Sequence, residues 1–205
     1  MTNAYKSIKN HLVAVVLAML LLATGQSYAQ ITYCASNATS AADEDIWNVT
    51  LGTLNNTSTC SSVAPGPGSL AAQYGNYTSL APPILVIGNT YPMSLTLAYC
   101  GATAYSNIVS VYMDFNQNGL LTDAGEQVWL KTYAAYTLPS QVFTFNVTVP
   151  ATALAGNTLM RVVLVESSTV SPCGTYSWGE TEDYTVTLQP AFSCSGTPTP
   201  GNTLS

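Results

Sequence analysis

The chain has 205 residues, 47% of them hydrophobic and only 7% charged, and its four Lys and Arg stand against ten Asp and Glu for a net charge of −6. A surface this acidic repels phosphate backbones and anionic membranes, because nucleic-acid binding needs clustered Lys and Arg, so nucleic acid and membrane insertion are set aside. The single histidine, His11, lies in a leader-like segment, so Ser-His-Asp or Cys-His catalysis and His-ligated zinc or copper fall away.

Lys6, Lys9 and His11 form a short basic stretch before an apolar run from Leu12 to Ala23, and Ser27-Tyr28-Ala29 precedes Gln30. This is the order of a secretory signal peptide with a small-x-small cleavage site, and the run is too short to span a membrane comfortably. Residues 1–29 are therefore expected to be a signal peptide and the mature chain to reach the cell surface or the medium. Its removal leaves Lys131 and Arg161 against all ten acidic residues, a net charge of −8.

From residue 31 to 189 the apolar residues repeat every second position. Trp47, Val49 and Leu51 alternate with polar neighbours, as do Met93, Leu95, Leu97 and Tyr99, then Phe143, Phe145, Val147 and Val149, and finally Tyr184, Val186 and Leu188. Period two marks strands with one buried and one wet face. Two runs, "NIVSVYM" and "LMRVVLV", are apolar on both faces and are expected centrally or under a loop. "VPATALAG" offers at most one helical turn. Seven or eight strands in this length predict one all-β domain, an antiparallel β-sandwich of Ig-like or jelly-roll-like type spanning 30–189. The acidic run Asp43 to Asp45 reads as a solvated strand entry.

Five cysteines in an exported chain predict disulfides with one cysteine left over. Cys194 is the odd one, because it follows a boundary at Gln189-Pro190; residues 190–205 read as a linker and the start of a following β-domain. Of the three pairings open to Cys34, Cys60, Cys100 and Cys173, Cys34–Cys60 with Cys100–Cys173 is preferred, on sequence proximity for the first pair and exclusion for the second. Arg161 sits inside a buried run, and a buried guanidinium needs a carboxylate. The richest source is Glu180, Glu182 and Asp183, so a structural ion pair is expected there.

The segment "DFNQNGLLTDAGE" offers oxygen ligands in the D-x-N-x-N-G order of a calcium loop: Asp114, Asn116 and Asn118 with Gly119 at the turn, then the Leu120 carbonyl. A bidentate carboxylate should close the shell at the twelfth position, yet Gly125 stands there. Asp123 and Glu126 are the acids at hand. The competing reading is a polar hairpin built on Asn118-Gly119.

Six blocks in order, "YC", "EDIWNVTLGTLNNTSTCS", "YGNYTS", "VYMDFNQNGLLTDAGEQV", "VPATALAGNTLMRVVL" and "CGTYSWGETEDYTVTL", resemble the GEVED domain. That domain occurs in secreted and cell-surface proteins of Bacteroidetes-type bacteria and takes its name from the motif present here as Gly179-Glu180-Thr181-Glu182-Asp183. The resemblance spans about residues 32–188. It implies a β-sandwich module of a larger exported protein, often beside Ig-like or fibronectin-like repeats and delivered by type IX secretion. The family loop usually reads Asp-x-Asn-x-Asp-Gly, so Asn118 is a departure. With the resemblance added, a weak Ca²⁺ site is expected, with a dissociation constant on the order of 10⁻⁴ to 10⁻³ M. The expected function is non-catalytic: adhesion, binding of a glycan or protein ligand with Trp178 as a contact, or spacing. The alternative is a glycoside hydrolase drawing two carboxylates from Asp114, Glu180, Glu182 and Asp183.

Overall fold

The computed structural model describes residues 31–101, 103, 105–135 and 140–191. The expected signal peptide, Cys194 and most of the expected 190–205 segment lie outside the described residues. The strands are β1 (Ser36–Ala38), β2 (Glu44–Leu51), β3 (Leu54–Thr57), β4 (Tyr74–Asn76), β5 (Ile84–Val86) and β6 (Thr90–Tyr99). They continue as β7 (Asn107–Met113), β8 (Gln127–Tyr133), β9 (Ser140–Thr148), β10 (Gly156–Val165), β11 (Gly174–Tyr176) and β12 (Gly179–Gln189). Among the described residues there is no helix, and "VPATALAG" makes a turn in which the Ala153 amide donates to the Pro150 carbonyl at 3.0 Å.

Two antiparallel sheets carry the architecture. One has the order β3-β2-β6-β9; the other has β12-β10-β7-β8, extended by β4 and β5, which both run parallel to β12. A separate parallel pair joins β1 to β11. The alternating residues of both sheets meet in one core that includes Val49, Leu95, Val147, Val162, Tyr184 and Val186, all essentially buried. Burial of such side chains is worth about 1.5–3 kcal/mol each. This is the all-β sandwich.

The two doubly apolar runs are β7 and β10, adjacent in the middle of their sheet. Their outer face is covered as well: Tyr112, Leu121, Leu159 and Val163 form a second cluster, packed by Tyr33, Val170 and Tyr176. Strand centrality and a covering layer together account for apolarity on both faces.

The disulfides correct the preferred pairing. Cys34 bonds Cys173 and Cys60 bonds Cys100. The reason is topological. The parallel β1–β11 pair sets Cys34 beside Cys173, each just ahead of its strand. The ends of β3 and β6 both return to the start of β2, from opposite sides, and so bring Cys60 to Cys100. Glu44 and Asp45 at that start are 1% and 0% exposed and Asp43 is half-buried, so two of the three acids expected at a solvated strand entry are buried.

Candidate metal loop and buried acidic motif

β7 ends at Met113 and β8 resumes at Gln127, and the loop between them is closed at its root by the Met113 amide donating to the Glu126 carbonyl at 2.9 Å. Asp114 is fully buried there. Its Oδ1 accepts from the Asn118 amide at 3.2 Å, while Oδ2 accepts from the Gly119 amide and the Tyr33 hydroxyl, each at 2.9 Å. Asn116 Oδ1 accepts from the Asn118 amide at 3.1 Å and Asn118 Oδ1 from the Leu120 amide at 2.8 Å. Positive φ falls at Gln117 (55°) and Gly119 (86°), so the bend is not a two-residue Asn-Gly hairpin. The Leu120 side chain is exposed.

Asp123 accepts the side-chain amides of Asn116 at 2.8 Å and Asn118 at 2.7 Å, which hold its carboxyl below the usual range. Glu126 is only 2% exposed. Its Oε1 accepts from the Phe115 amide at 3.0 Å, and its buried Oε2 has no donor. Burial pushes this carboxyl up, with repulsion from Asp114 and then Asp123 adding to it. Phe115 and Leu121 anchor the loop in the two apolar clusters, and the Leu154 amide bonds the Phe115 carbonyl at 2.9 Å. Three carboxylates and two amide oxygens thus line one loop, a donor set suited to a hard cation.

One trio of acid or cysteine side chains among the described residues brings its ligand atoms within 4.8 Å of one another: Asp45, Cys60 and Cys100. Both sulfurs belong to the disulfide, so this trio offers no thiolate to a metal. The loop acids stand further apart.

The motif 179–183 opens β12. Its side chains alternate, and that alternation divides the expected ion pair. Asp183 lies directly opposite Arg161 on β10. Arg161 Nε donates to Asp183 Oδ1 and Nη2 to Oδ2, both at 2.7 Å, while Nη1 reaches the Pro172 carbonyl at 2.6 Å and the Cys34 carbonyl at 2.8 Å. The Tyr74 hydroxyl donates to Asp183 at 2.9 Å. Glu180 and Glu182 stand on the opposite, core face of β12 and take no part. Strand periodicity makes Asp183 alone the partner of Arg161.

On that core face Glu180 Oε2 accepts from the Ile46 amide at 2.8 Å. Glu182 Oε2 accepts from the Tyr184 hydroxyl at 2.7 Å, which itself accepts from Asn56 Nδ2 at 2.8 Å. Burial drives Glu182 up to about 8, and Asp45 and Asp183 push the same way. Burial, hydrogen bonding with Asp45 and repulsion from Glu182 raise Glu180 well above the carboxylate range. Sequence reasoning missed Asp45 and Glu44 here, since an acid at a strand start carries no sign of burial. Trp178, ahead of the motif, is 42% exposed. A cavity of about 210 Å³ is lined by Val163, Val165, Ser167, Thr169 and Tyr176, among others, and by none of the four acids of the hydrolase reading.

Residues 108–187 match the family model of the GEVED domain. The matched segment runs from β7 into β12, so it takes in the loop, Arg161 and the motif, while Asp45 lies outside it. No curated protein matches the chain. Among solved structures, the CARDB domain of the PF1109 protein from Pyrococcus furiosus, in complex with di-metal ions, is 19% identical with a TM-score of 0.36, over 52% of this chain and 84% of that one. A β-glucosidase from Listeria innocua is 18% identical with a TM-score of 0.34, over 54% of this chain and 15% of the enzyme. A family 123 glycoside hydrolase from Clostridium perfringens is 12% identical with a TM-score of 0.37, over 57% of this chain and 23% of the enzyme. Likenesses this loose carry no functional reading.

Proposed function

We propose that the chain is a non-catalytic module of a larger exported protein, stabilised by one weakly bound Ca²⁺ in its GEVED segment and serving adhesion, ligand binding or spacing. Asp114, Asn116, Asn118, the Leu120 carbonyl, Asp123 and Glu126 would hold the ion. The observation that supports this most is Glu126 Oε2, a buried carboxylate oxygen without a donor in a loop of oxygen ligands. An anionic oxygen in that position is costly unless a cation neutralises it. The ion would tie the loop to the β7–β8 edge. Export through the 1–29 leader, further domains beyond 190, and a glycan or protein partner at Trp178 belong to the same reading. Two disulfides suit an oxidising compartment. The motif acids are buried or paired with Arg161, which favours a structural role for them over a hydrolytic one.

Thermal and urea unfolding in EDTA and in calcium tests it. With a dissociation constant of about 10⁻⁴ to 10⁻³ M, calcium at about 10 mM should add about 1.4–2.7 kcal/mol of stability. Asp114→Ala should abolish that gain and Asp123→Asn should reduce it. Identical melting curves with and without calcium would leave the segment a polar connection and remove the metal from the reading.

A further inference from the structure

The core face of β12 holds a charge problem that nothing in the loop resolves. Asp45, Glu180 and Glu182 are 0%, 4% and 0% exposed. The buried cation within reach, Arg161, is bound by Asp183 on the other face of the strand. Lys131 is exposed on β8. The other groups around the three acids bring no positive charge. Tyr184 of β12 feels Glu182, Tyr176 of β11 feels Glu180, and Tyr77 after β4 feels both. Tyr74 of β4 belongs to Asp183. Glu44 of β2 is held by the Asn107 amide of β7 at 2.9 Å and faces the further negative charges of Asp43 and Glu166.

The Ile46 amide donates to Glu180 Oε2 at 2.8 Å, which brings the Glu180 carboxyl from β12 to the residue next to Asp45 on β2, where the two buried acids act on each other. Neither oxygen of Asp45 has an N–H or O–H donor among the described residues. The nearest ones fall outside bonding geometry: the Ile46 amide is taken by Glu180 Oε2, and the Trp47 indole N–H is itself unpartnered. Two acceptor-only groups cannot bond each other. A buried, uncompensated carboxylate pair costs several kcal/mol. One hydrogen between them removes a charge and makes the bond.

The geometry points to a proton held between Glu180 and Asp45 as a working part of the fold, a latch that locks β2 to β12 in mild acid and loosens as pH rises. Glu180 carries the hydrogen and Asp45 accepts it. Glu182 Oε2 already accepts from the Tyr184 hydroxyl, whose direction the Asn56 amide fixes. The Cys60–Cys100 disulfide lies against Asp45 and limits its retreat.

The sign follows from linkage. A carboxyl that ionises at higher pH in the folded state than in the unfolded one contributes its full stabilisation below its unfolded range. That contribution falls as pH climbs from about 4.5 and is lost as pH passes through the folded value, which burial holds well above the carboxylate range for Glu180. Within this window each retained proton lowers the folding equilibrium constant tenfold per pH unit.

The test is urea unfolding of the full chain, disulfides intact and EDTA present, from pH 5 to 9, beside Glu180→Gln and Asp45→Asn. The wild type should lose stability across the window. Glu180→Gln, whose amide still donates to Asp45, should flatten the curve by about one proton and overtake the wild type at pH 8–9. Wild-type stability that is flat or rising over pH 5–8, or a Glu180→Gln curve parallel to the wild type, overturns the latch. Should the variants fail to fold, the infrared C=O stretch of a protonated carboxyl in the wild type at pH 7, vanishing by pH 9, is the expected signature; its absence at pH 7 refutes the shared proton.

Discussion

Arg161 shows how one residue's identity fixes its surroundings. On β10 it faces the outer apolar layer with Leu159 and Val163, and water is excluded from it. A guanidinium there must have its donors answered, and it does, by a bidentate carboxylate and two carbonyls. Removing one partner leaves the other buried and charged, which costs about 3–5 kcal/mol. Asp183→Ala is therefore expected to cost about that much in urea unfolding, with the Tyr74 hydroxyl also left without its acceptor. The double variant Asp183→Leu, Arg161→Met should recover most of the loss, because it removes both charges and keeps apolar volume. Equal costs for the single and double variants would mean that shape, not charge, dominates at this position.

At the scale of the strand, Gly179 decides whether β10 and β12 can pair to their ends. It has φ of 118° and lies opposite Val165, and an added Cβ would stand 2.0 Å from the Leu164 carbonyl. No side-chain movement relieves a clash with backbone. Gly179→Ala should therefore cost about 2–5 kcal/mol from backbone strain and overpacking together. The loss should appear first as faster amide exchange at the Val165 end of the pair. The strands themselves were legible from period two, since a half-buried strand imprints its faces on the sequence. β8 was not, because as an edge strand it exposes most of its residues and shows no alternation. The three-residue strands β1, β4, β5 and β11 were also hidden, because their parallel pairings join distant segments and leave no local pattern. The same gap explains the site. The loop's oxygen residues and the motif could be read from spacing, but the Asp45–Glu180 contact is made only when two sheets stack.

Across the whole molecule the disulfides close loops of very different length, and this turns their connectivity into an energetic prediction. Cys34–Cys173 spans 139 residues and Cys60–Cys100 spans 40. Loop-closure entropy then assigns about 5 kcal/mol to the first and about 4 kcal/mol to the second. Replacing each pair by serine should rank them in that order in urea unfolding, with the long loop costing more. The long crosslink also fixes the Cys34 and Pro172 carbonyls that receive Arg161, so its loss should extend beyond chain entropy. The short crosslink touches neither Arg161 nor the loop; it flanks Asp45. Its removal should cost less at pH 5, yet it should flatten the decline of stability with pH, because Asp45 would then be free to move away from Glu180. A non-reducing digest that joins the Cys34 peptide to the Cys173 peptide is the first requirement. Under the alternative Cys34–Cys60 and Cys100–Cys173 bridges, each of these double replacements would break both crosslinks and the two costs would be alike.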